Sequence, residues 1–247
     1  MPLTILLNGA RGRMGRAVAA AAAELGVRVG AAVDIGDDPS AVAAAWDVIV
    51  DFSTPAATAA ILRLAADRRK PIVIATTGHA PADLPALRAA AAAVPCVWTA
   101  NFSVGVNLLF HLTQVAAGVL GPEYDAEIVE MHHRLKKDAP SGTAQQLLEI
   151  IQQARRAGAA AVRHGRQGLT GERPSGEIGV HALRGGDVVG DHTVIFAGLG
   201  ERLELTHRTT DSAILARGAL RAAEWVRTRP PGLYDMQDVL GFRRAAT

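Results

Sequence analysis

The chain has 247 residues, 49% of them hydrophobic, 20% charged and only 4% aromatic, with a net charge of +2 and a single cysteine. This length and composition suit one large or two modest soluble domains. No basic block exceeds Arg68-Arg69-Lys70, which argues against a nucleic-acid partner and favours small anions. Cys96 lies in an apolar run and has no disulfide partner in the chain, so it is expected to pack in a core, in a reducing, cytoplasmic compartment. No basic leader precedes the first apolar run, and no apolar stretch approaches the roughly 20 residues that cross a bilayer, so no membrane association is expected.

From residue 3 to about 100, short apolar runs alternate with helical patterns. Leu3 to Leu7, Val27 to Val33, Val48 to Asp51, Ile72 to Ala75 and Cys96 to Ala100 read as strands, with helices filling the gaps. Ser53-Thr54-Pro55 opens the third of these helices, with capping hydroxyls and a proline at its first turn. Continuous apolar strands separated by helices require a parallel sheet covered on both faces. This is the α/β, doubly wound Rossmann-type class. After Asn107 the rhythm changes to a helix reaching about Val119, a strand from Asp125 to His133 and a helix from Thr143 to about Ala157. Runs at Ile178 to Arg184, Val188 to Phe196 and Arg202 to Arg208 are separated by glycine turns and predict a second, α+β domain with a mostly antiparallel mixed sheet. A last helical pattern, Ser212 to about Arg227, returns to the first domain. The expected division is therefore 1–103 with 212–247 as a dinucleotide-binding domain, and 104–211 as a second domain.

Gly9-Ala10-Arg11-Gly12-Arg13-Met14-Gly15 follows the first strand and opens a helix. Glycines let backbone amides approach a pyrophosphate, and the helix start adds partial positive charge. Asp34 ends the second strand 19 residues after Gly15, where a carboxylate accepts from ribose hydroxyls. The next residue is Ile35, so no basic side chain follows to meet a 2′-phosphate; NADH should be accepted. Arg11 and Arg13 leave NADPH open. Thr76-Thr77-Gly78 ends another strand at the ligand-binding edge of such a sheet.

The stretch Glu130-Met131-His132-His133-Arg134-Leu135-Lys136-Lys137-Asp138-Ala139-Pro140-Ser141-Gly142-Thr143-Ala144 holds two of the three lysines in a chain that otherwise carries arginine. A lysine can release a proton where arginine cannot. His132 and His133 point to opposite faces of an extended chain, and no ligand spacing accompanies them, so no metal is expected. Ser141-Gly142-Thr143 precedes a helical pattern and offers an anion seat suited to a carboxylate, with Ser141 as a plain helix cap the simpler alternative.

This stretch closely resembles the signature of bacterial 4-hydroxy-tetrahydrodipicolinate reductase, also called dihydrodipicolinate reductase. The resemblance extends to residues 9–15, Asp51-Phe52-Ser53, Ala75-Thr76-Thr77-Gly78, 100–107, Arg184-Gly185-Gly186-Asp187, Gly190-Asp191-His192-Thr193, Gly200-Glu201-Arg202 and Val239-Leu240-Gly241, and so covers nearly the whole chain. It implies reduction of a cyclic unsaturated dicarboxylate to tetrahydrodipicolinate, on the route to diaminopimelate and lysine, with NADH or NADPH. By resemblance, Lys136 is the proton donor and His132 the general acid/base, while His133, Ser141, Gly142 and Thr143 bind the substrate. Gly9, Ala10, Arg11, Gly12, Arg13, Met14, Asp34, Ala75, Thr76, Thr77, Thr99, Ala100, Asn101 and Phe102 correspond to cofactor positions, and a homotetramer built through the second domain's sheet is implied.

Two residues depart from the family pattern. Ile35 replaces an arginine of some members and weakens NADPH preference; Ala75 replaces a common glycine, which is costly only if φ is positive there. Two competing readings are an amino-acid or imine dehydrogenase on the same nucleotide domain, and a redox-sensing module that binds NAD(H) without turnover.

Overall fold

The structure is a computed structural model describing residues 1–43, 45–158 and 161–243. In chain order it forms β1 (Thr4–Asn8), α1 (Arg13–Glu24), β2 (Arg28–Val33), β3 (Val48–Asp51), α2 (Pro55–Arg68), β4 (Ile72–Ile74), α3 (Leu84–Ala92) and β5 (Pro95–Trp98). There follow α4 (Val104–Leu120), β6 (Asp125–His132), α5 (Gly142–Arg155), β7 (Val162–His164), β8 (Ile178–Arg184), β9 (Gly190–Ala197) and β10 (Arg202–Thr209). The chain ends with α6 (Ala213–Val226), β11 (Gly232–Tyr234) and α7 (Met236–Val239). It divides into two compact units, Met1–Val104 with Ala213–Thr247, and Gly105–Ser212. The last four residues of the expected 212–247 segment lie outside the described residues.

The first unit holds a sheet of order β11-β5-β4-β3-β1-β2, with every neighbouring pair parallel. Strand side chains alternate between two cores. Ile5, Leu7, Val48, Val50, Val73 and Val97 pack with α1, α6 and α7, whereas Leu6, Ile49, Ile72, Ile74 and Cys96 pack with α2 and α3. Burial on both faces explains the unbroken apolar strands; each fully buried Ile or Leu contributes about 2 kcal/mol. In α1 the buried positions Gly15, Val18, Ala21 and Ala22 recur at helical spacing, so small residues bring the helix close to the sheet. Cys96 is buried as expected, and burial pushes its thiol well above the ordinary range, away from reactivity.

The strands fall close to their expected positions, but the gap between β2 and β3 contains no α-helix among its described residues. A short 3-10 turn, Pro39–Ala41, occupies it, with Asp38 accepting from the Ser40 N–H. Gly36, at φ +93, and Pro39 break the alanine-rich pattern there, so Pro55 opens the second α-helix and not the third. The short strands β7 and β11 were not visible as apolar runs.

The second unit carries a mixed sheet of order β10-β9-β6-β8-β7. Its ladders β10–β9 and β9–β6 are antiparallel, and β6–β8 and β8–β7 are parallel. Burial alternates along β6, sending Ala126, Ile128, Glu130 and His132 inward. Ala126 and Ile128 join a core with Leu109 and Ala117 of α4 and Leu147, Leu148 and Ile151 of α5. The Gly/Arg-rich segment after β7 is tied down by ion pairs: Arg166 and Arg173 both reach Glu127, at 2.7 and 3.0 Å.

The expectation about apolar stretches needs correction at α4. With its 3-10 continuation it spans Val104–Glu123, 20 residues of mean hydropathy 1.5, and is long and apolar enough to cross a membrane by length and composition. Asn107, His111, Thr113 and Gln114 interrupt the run, which is why it does not read as one apolar block. Leu109 and Ala117 pack in the second unit's core, but only 28% of the segment is buried, and Leu108, Leu112, Val115 and Val119 are exposed.

Candidate active site

All carboxyl ends of the parallel strands lie along one edge of the first unit's sheet. The chain goes from β1 to β2 on one side and to β3, β4 and β5 on the other, so the edge outside β1 and β3 is the topological switch point where ligands of open α/β sheets bind. Gly9 follows β1 at φ +80; a Cβ there would stand 2.5 Å from the Phe52 carbonyl oxygen, and one at Gly15 would strike the Gly9 carbonyl. The loop can lie between strand and helix only with glycine at both places. Gly12 is the N-cap of α1 and no side chain caps it, which leaves the first-turn N–H groups for a ligand. A phosphate-bearing cofactor fits this cradle.

Asp34 borders the cradle. Its carboxylate accepts from Ile35 N–H at 2.8 Å and Arg11 N–H at 2.6 Å, and these two bonds hold its carboxyl below the usual range. Each oxygen keeps a lone pair for a hydroxyl donor. Ala75, Thr76 and Thr77 follow β4, and Ala75 is not among the residues with positive φ, so its methyl is tolerated. Thr99, Ala100, Asn101 and Phe102 follow β5; Asn101 Oδ1 accepts from Ser103 N–H at 2.9 Å. The Phe102 ring is 2% exposed and packs in the core against Phe52, centroids 6.3 Å apart, which leaves its backbone for the edge.

One group at this edge had no role assigned from sequence. Asp51, fully buried at the end of β3, accepts from Asn8 Nδ2 at 2.8 Å, Ser53 Oγ at 2.6 Å and Thr76 Oγ1 at 2.7 Å. Burial pushes its carboxyl upward, against those three bonds. The carboxyl ties the ends of β1, β3 and β4 together.

In the second unit the reactive stretch is organised by Glu130, which is fully buried. One oxygen receives His132 Nδ1 at 2.6 Å and Arg184 Nη1 at 2.8 Å, while the other accepts from Arg184 Nη2 at 2.9 Å and Ser141 N–H at 3.1 Å. Burial works against its charge, but Arg184, His132 and the Ser141 amide together hold the carboxyl below the ordinary range. An ionised carboxylate can only accept, so His132 Nδ1 carries a proton and Nε2 is the nitrogen left for chemistry. A Cβ at Gly190 would stand 3.1 Å from that Nε2, so glycine keeps its surroundings open. Arg184 also donates to the Asp138 carbonyl at 2.7 Å and so braces the loop itself.

Lys136 pairs with Asp138, Nζ to Oδ2 2.9 Å, and its N–H donates to the His133 carbonyl at 3.1 Å. Ser141 caps α5 by accepting from Ala144 N–H at 3.2 Å, and its hydroxyl also meets His192 Nε2 at 3.1 Å. At 2% exposure that hydroxyl is committed to the fold, whereas Gly142 is exposed and Thr143 half-buried at the helix start. His192 stacks edge-on to His132, centroids 5.1 Å apart. Burial lowers the His192 pKa to about 4, helped by the neighbouring His132, so it is neutral at neutral pH.

The structure thus gathers Gly9–Met14, Asp34, Ala75–Thr77 and Thr99–Phe102 along one sheet edge of the first unit. His132, His133, Lys136 and Ser141–Thr143 cluster in the second. Glu130, Arg184 and His192 appear in the motifs but were given no role. The signal for Glu130 was its place two residues before His132, on the same face of a strand.

Two family models match. The one described as dihydrodipicolinate reductase, N-terminus, covers residues 3–102, and the one described as dihydrodipicolinate reductase, C-terminus, covers 105–240. A 4-hydroxy-tetrahydrodipicolinate reductase from Akkermansia muciniphila is 51% identical over 97% of this chain and 98% of its own length. Another, from Aromatoleum aromaticum, is 45% identical over 98% of this chain and 97% of its own. Among solved structures, dipicolinate-bound dihydrodipicolinate reductase from Paenisporosarcina sp. TG-14 superposes with a TM-score of 0.75 at 24% identity, over 95% of this chain and 98% of that one, and shares the fold. With two models spanning both units and near-complete relatives at such identity, the chain belongs to the dihydrodipicolinate reductase family.

Proposed function

We propose that this chain converts 4-hydroxy-tetrahydrodipicolinate to tetrahydrodipicolinate in diaminopimelate and lysine biosynthesis, by loss of water to dihydrodipicolinate and uptake of a hydride and a proton, with NADH preferred over NADPH. The observation that carries the reading is the reactive stretch, where a buried Glu130 fixes His132, four residues before Lys136, and also holds the Ser141 amide at the start of α5. The relatives named above are reductases of this substrate, and the solved relative holds dipicolinate, a cyclic dicarboxylate of matching chemistry.

A bound nicotinamide dinucleotide supplies the hydride. The backbone of Gly9 to Met14 holds its pyrophosphate, Asp34 accepts from the ribose hydroxyls, and Ala75 to Thr77 with Thr99 to Phe102 complete the edge. The Asp34 carboxylate with Ile35 after it disfavours a 2′-phosphate, which sets the preference for NADH. His133, Gly142 and Thr143 grip the substrate carboxylates, and Ser141 shapes that seat through its cap and its bond to His192. Lys136 Nζ gives its proton to the negative charge that develops on the ring, and His132 acts through Nε2 as general acid/base. The first unit is thereby the cofactor domain and the second the substrate domain, in a cytoplasmic enzyme.

Self-association as a homotetramer is part of the same reading. One face of the second sheet is covered by α5; the other carries Val129, Met131, Leu183 and Ile195, and Leu183 is 48% exposed. An open, partly apolar sheet face suits a second copy of the chain.

The test is NADH consumption by purified protein with the enzymatically generated precursor, beside parallel reactions with amino acids and with 2-oxo acids plus ammonia. Turnover confined to the precursor supports the reductase. Faster turnover with an amino acid or imine would replace it with the dehydrogenase reading.

A further inference from the structure

The turn after β2 closes around one arginine of the glycine loop. Arg11 Nη2 lies 3.0 Å from Asp37 Oδ2 and donates to the Ile35 carbonyl at 3.1 Å, and its Nε is 3.9 Å from Asp34 Oδ2. The same Asp37 oxygen accepts from Asp34 N–H at 2.8 Å, and Gly36 at φ +93 lets the chain fold back to make that bond. Asp37 therefore shapes the turn and also holds the guanidinium. No residue from Asp34 to Asp38 is basic. Of the other cations nearby, Arg68 donates to the Ser40 carbonyl, and Arg13 is exposed with no hydrogen bond or ion pair among the described residues.

We propose that Asp37 is a specificity-determining residue: by holding Arg11 it denies that guanidinium to a 2′-phosphate, and it adds a second carboxylate beside Asp34 where that phosphate would sit. The inference rests on the cofactor reading above and deepens it. Arginine is well suited to grip a phosphate, and Arg11 is the basic side chain already within reach of Asp34. A phosphorylated ribose would have to take it from Asp37 while facing two negative charges. A ribose with a free 2′-hydroxyl needs neither change, since Asp34 has acceptor capacity left for it. The Arg11–Asp37 pair is exposed, 65% and 46%, so it contributes little to folding and can be removed without unfolding the domain.

The experiment is equilibrium titration of NADH and NADPH, by cofactor fluorescence or calorimetry, into the wild type, D37N, R11A/D37N and R13A/D37N. Asparagine keeps an acceptor for Asp34 N–H, and a thermal melt checks that the turn survives. Freeing one guanidinium and removing one surface charge should shift the NADPH-to-NADH Kd ratio toward NADPH by about five- to tenfold in D37N. The shift should shrink in R11A/D37N to the smaller part that comes from the lost carboxylate, and persist in full in R13A/D37N. An unchanged ratio in D37N overturns the proposal, as does a shift undiminished by loss of Arg11 or one that depends on Arg13 instead. Wild type that binds neither dinucleotide overturns the cofactor reading and this inference with it; wild type that binds NADH beside an unmoved D37N ratio overturns the inference alone.

Discussion

The cofactor edge of the first unit and the reactive stretch of the second are built by opposite means. The edge is mostly backbone: two glycines packed against carbonyls, an uncapped helix start and one buried carboxyl tying three strand ends. The reactive stretch is mostly side chain, with one buried carboxylate holding a histidine, an arginine and a helix cap at once. A backbone cradle fails when a side chain is added, whereas a charged cluster fails when one is taken away. The two halves should therefore respond to different substitutions and in different observables.

The largest effect is expected at Lys136. Replacing it with alanine should lower kcat by about 10²- to 10⁴-fold, the usual worth of a positioned general acid, while NADH affinity measured by titration stays near wild type. Equal loss of both would remove the contrast between the halves. Next comes Glu130→Gln, which keeps the shape but leaves Arg184 without a carboxylate. Breaking a buried pair in this way should cost about 3 kcal/mol in denaturant unfolding, and turnover should fall because His132 loses its fixed tautomer.

On the backbone side, Gly15→Ala places a methyl on the Gly9 carbonyl. Overpacking of that kind costs about 1–3 kcal/mol, read as weaker NADH binding or a lower melting temperature, with the pH dependence of turnover unaltered. The most gradual effect is a pH slope. His192 titrates near 4 in the fold against 6.5 in the unfolded chain, so below pH 6.5 the unfolded state binds the extra proton. Stability is then full above about 6.5 and declines by up to about 1 kcal/mol per pH unit as pH falls toward 4. His192→Gln should flatten that window in pH-resolved unfolding; an unchanged slope would assign it to another group.

The contrast also explains what could be read without coordinates. Gly9-x-x-Gly12-x-x-Gly15, the Asp34 spacing and the apolar strands follow from backbone rules of short range, and they placed the edge. The reactive stretch was legible as chemistry, since lysines are rare here and cluster there. Its wiring was harder to see: Arg184 and His192 reach Glu130 and Ser141 across strands far apart in sequence, and only the β6 pairings with β8 and β9 bring them together. By pattern alone Asp51 is a strand end; its part in the site depends on Asn8, Ser53 and Thr76 converging on it. Among the described residues between β2 and β3 a 3-10 turn stands in place of the expected helix, a case of alanine propensity losing to Gly36 and Pro39.

The central claim, that one chain joins a hydride-delivering edge to a proton-donating loop, is tested most directly by a single-turnover experiment. Protein in excess over a limiting, fully bound amount of NADH is mixed with excess freshly generated precursor, and NADH absorbance and tetrahydrodipicolinate are followed together. The account predicts one tetrahydrodipicolinate formed for each NADH lost. NADH that binds but is not consumed, or is consumed without that product, would contradict it.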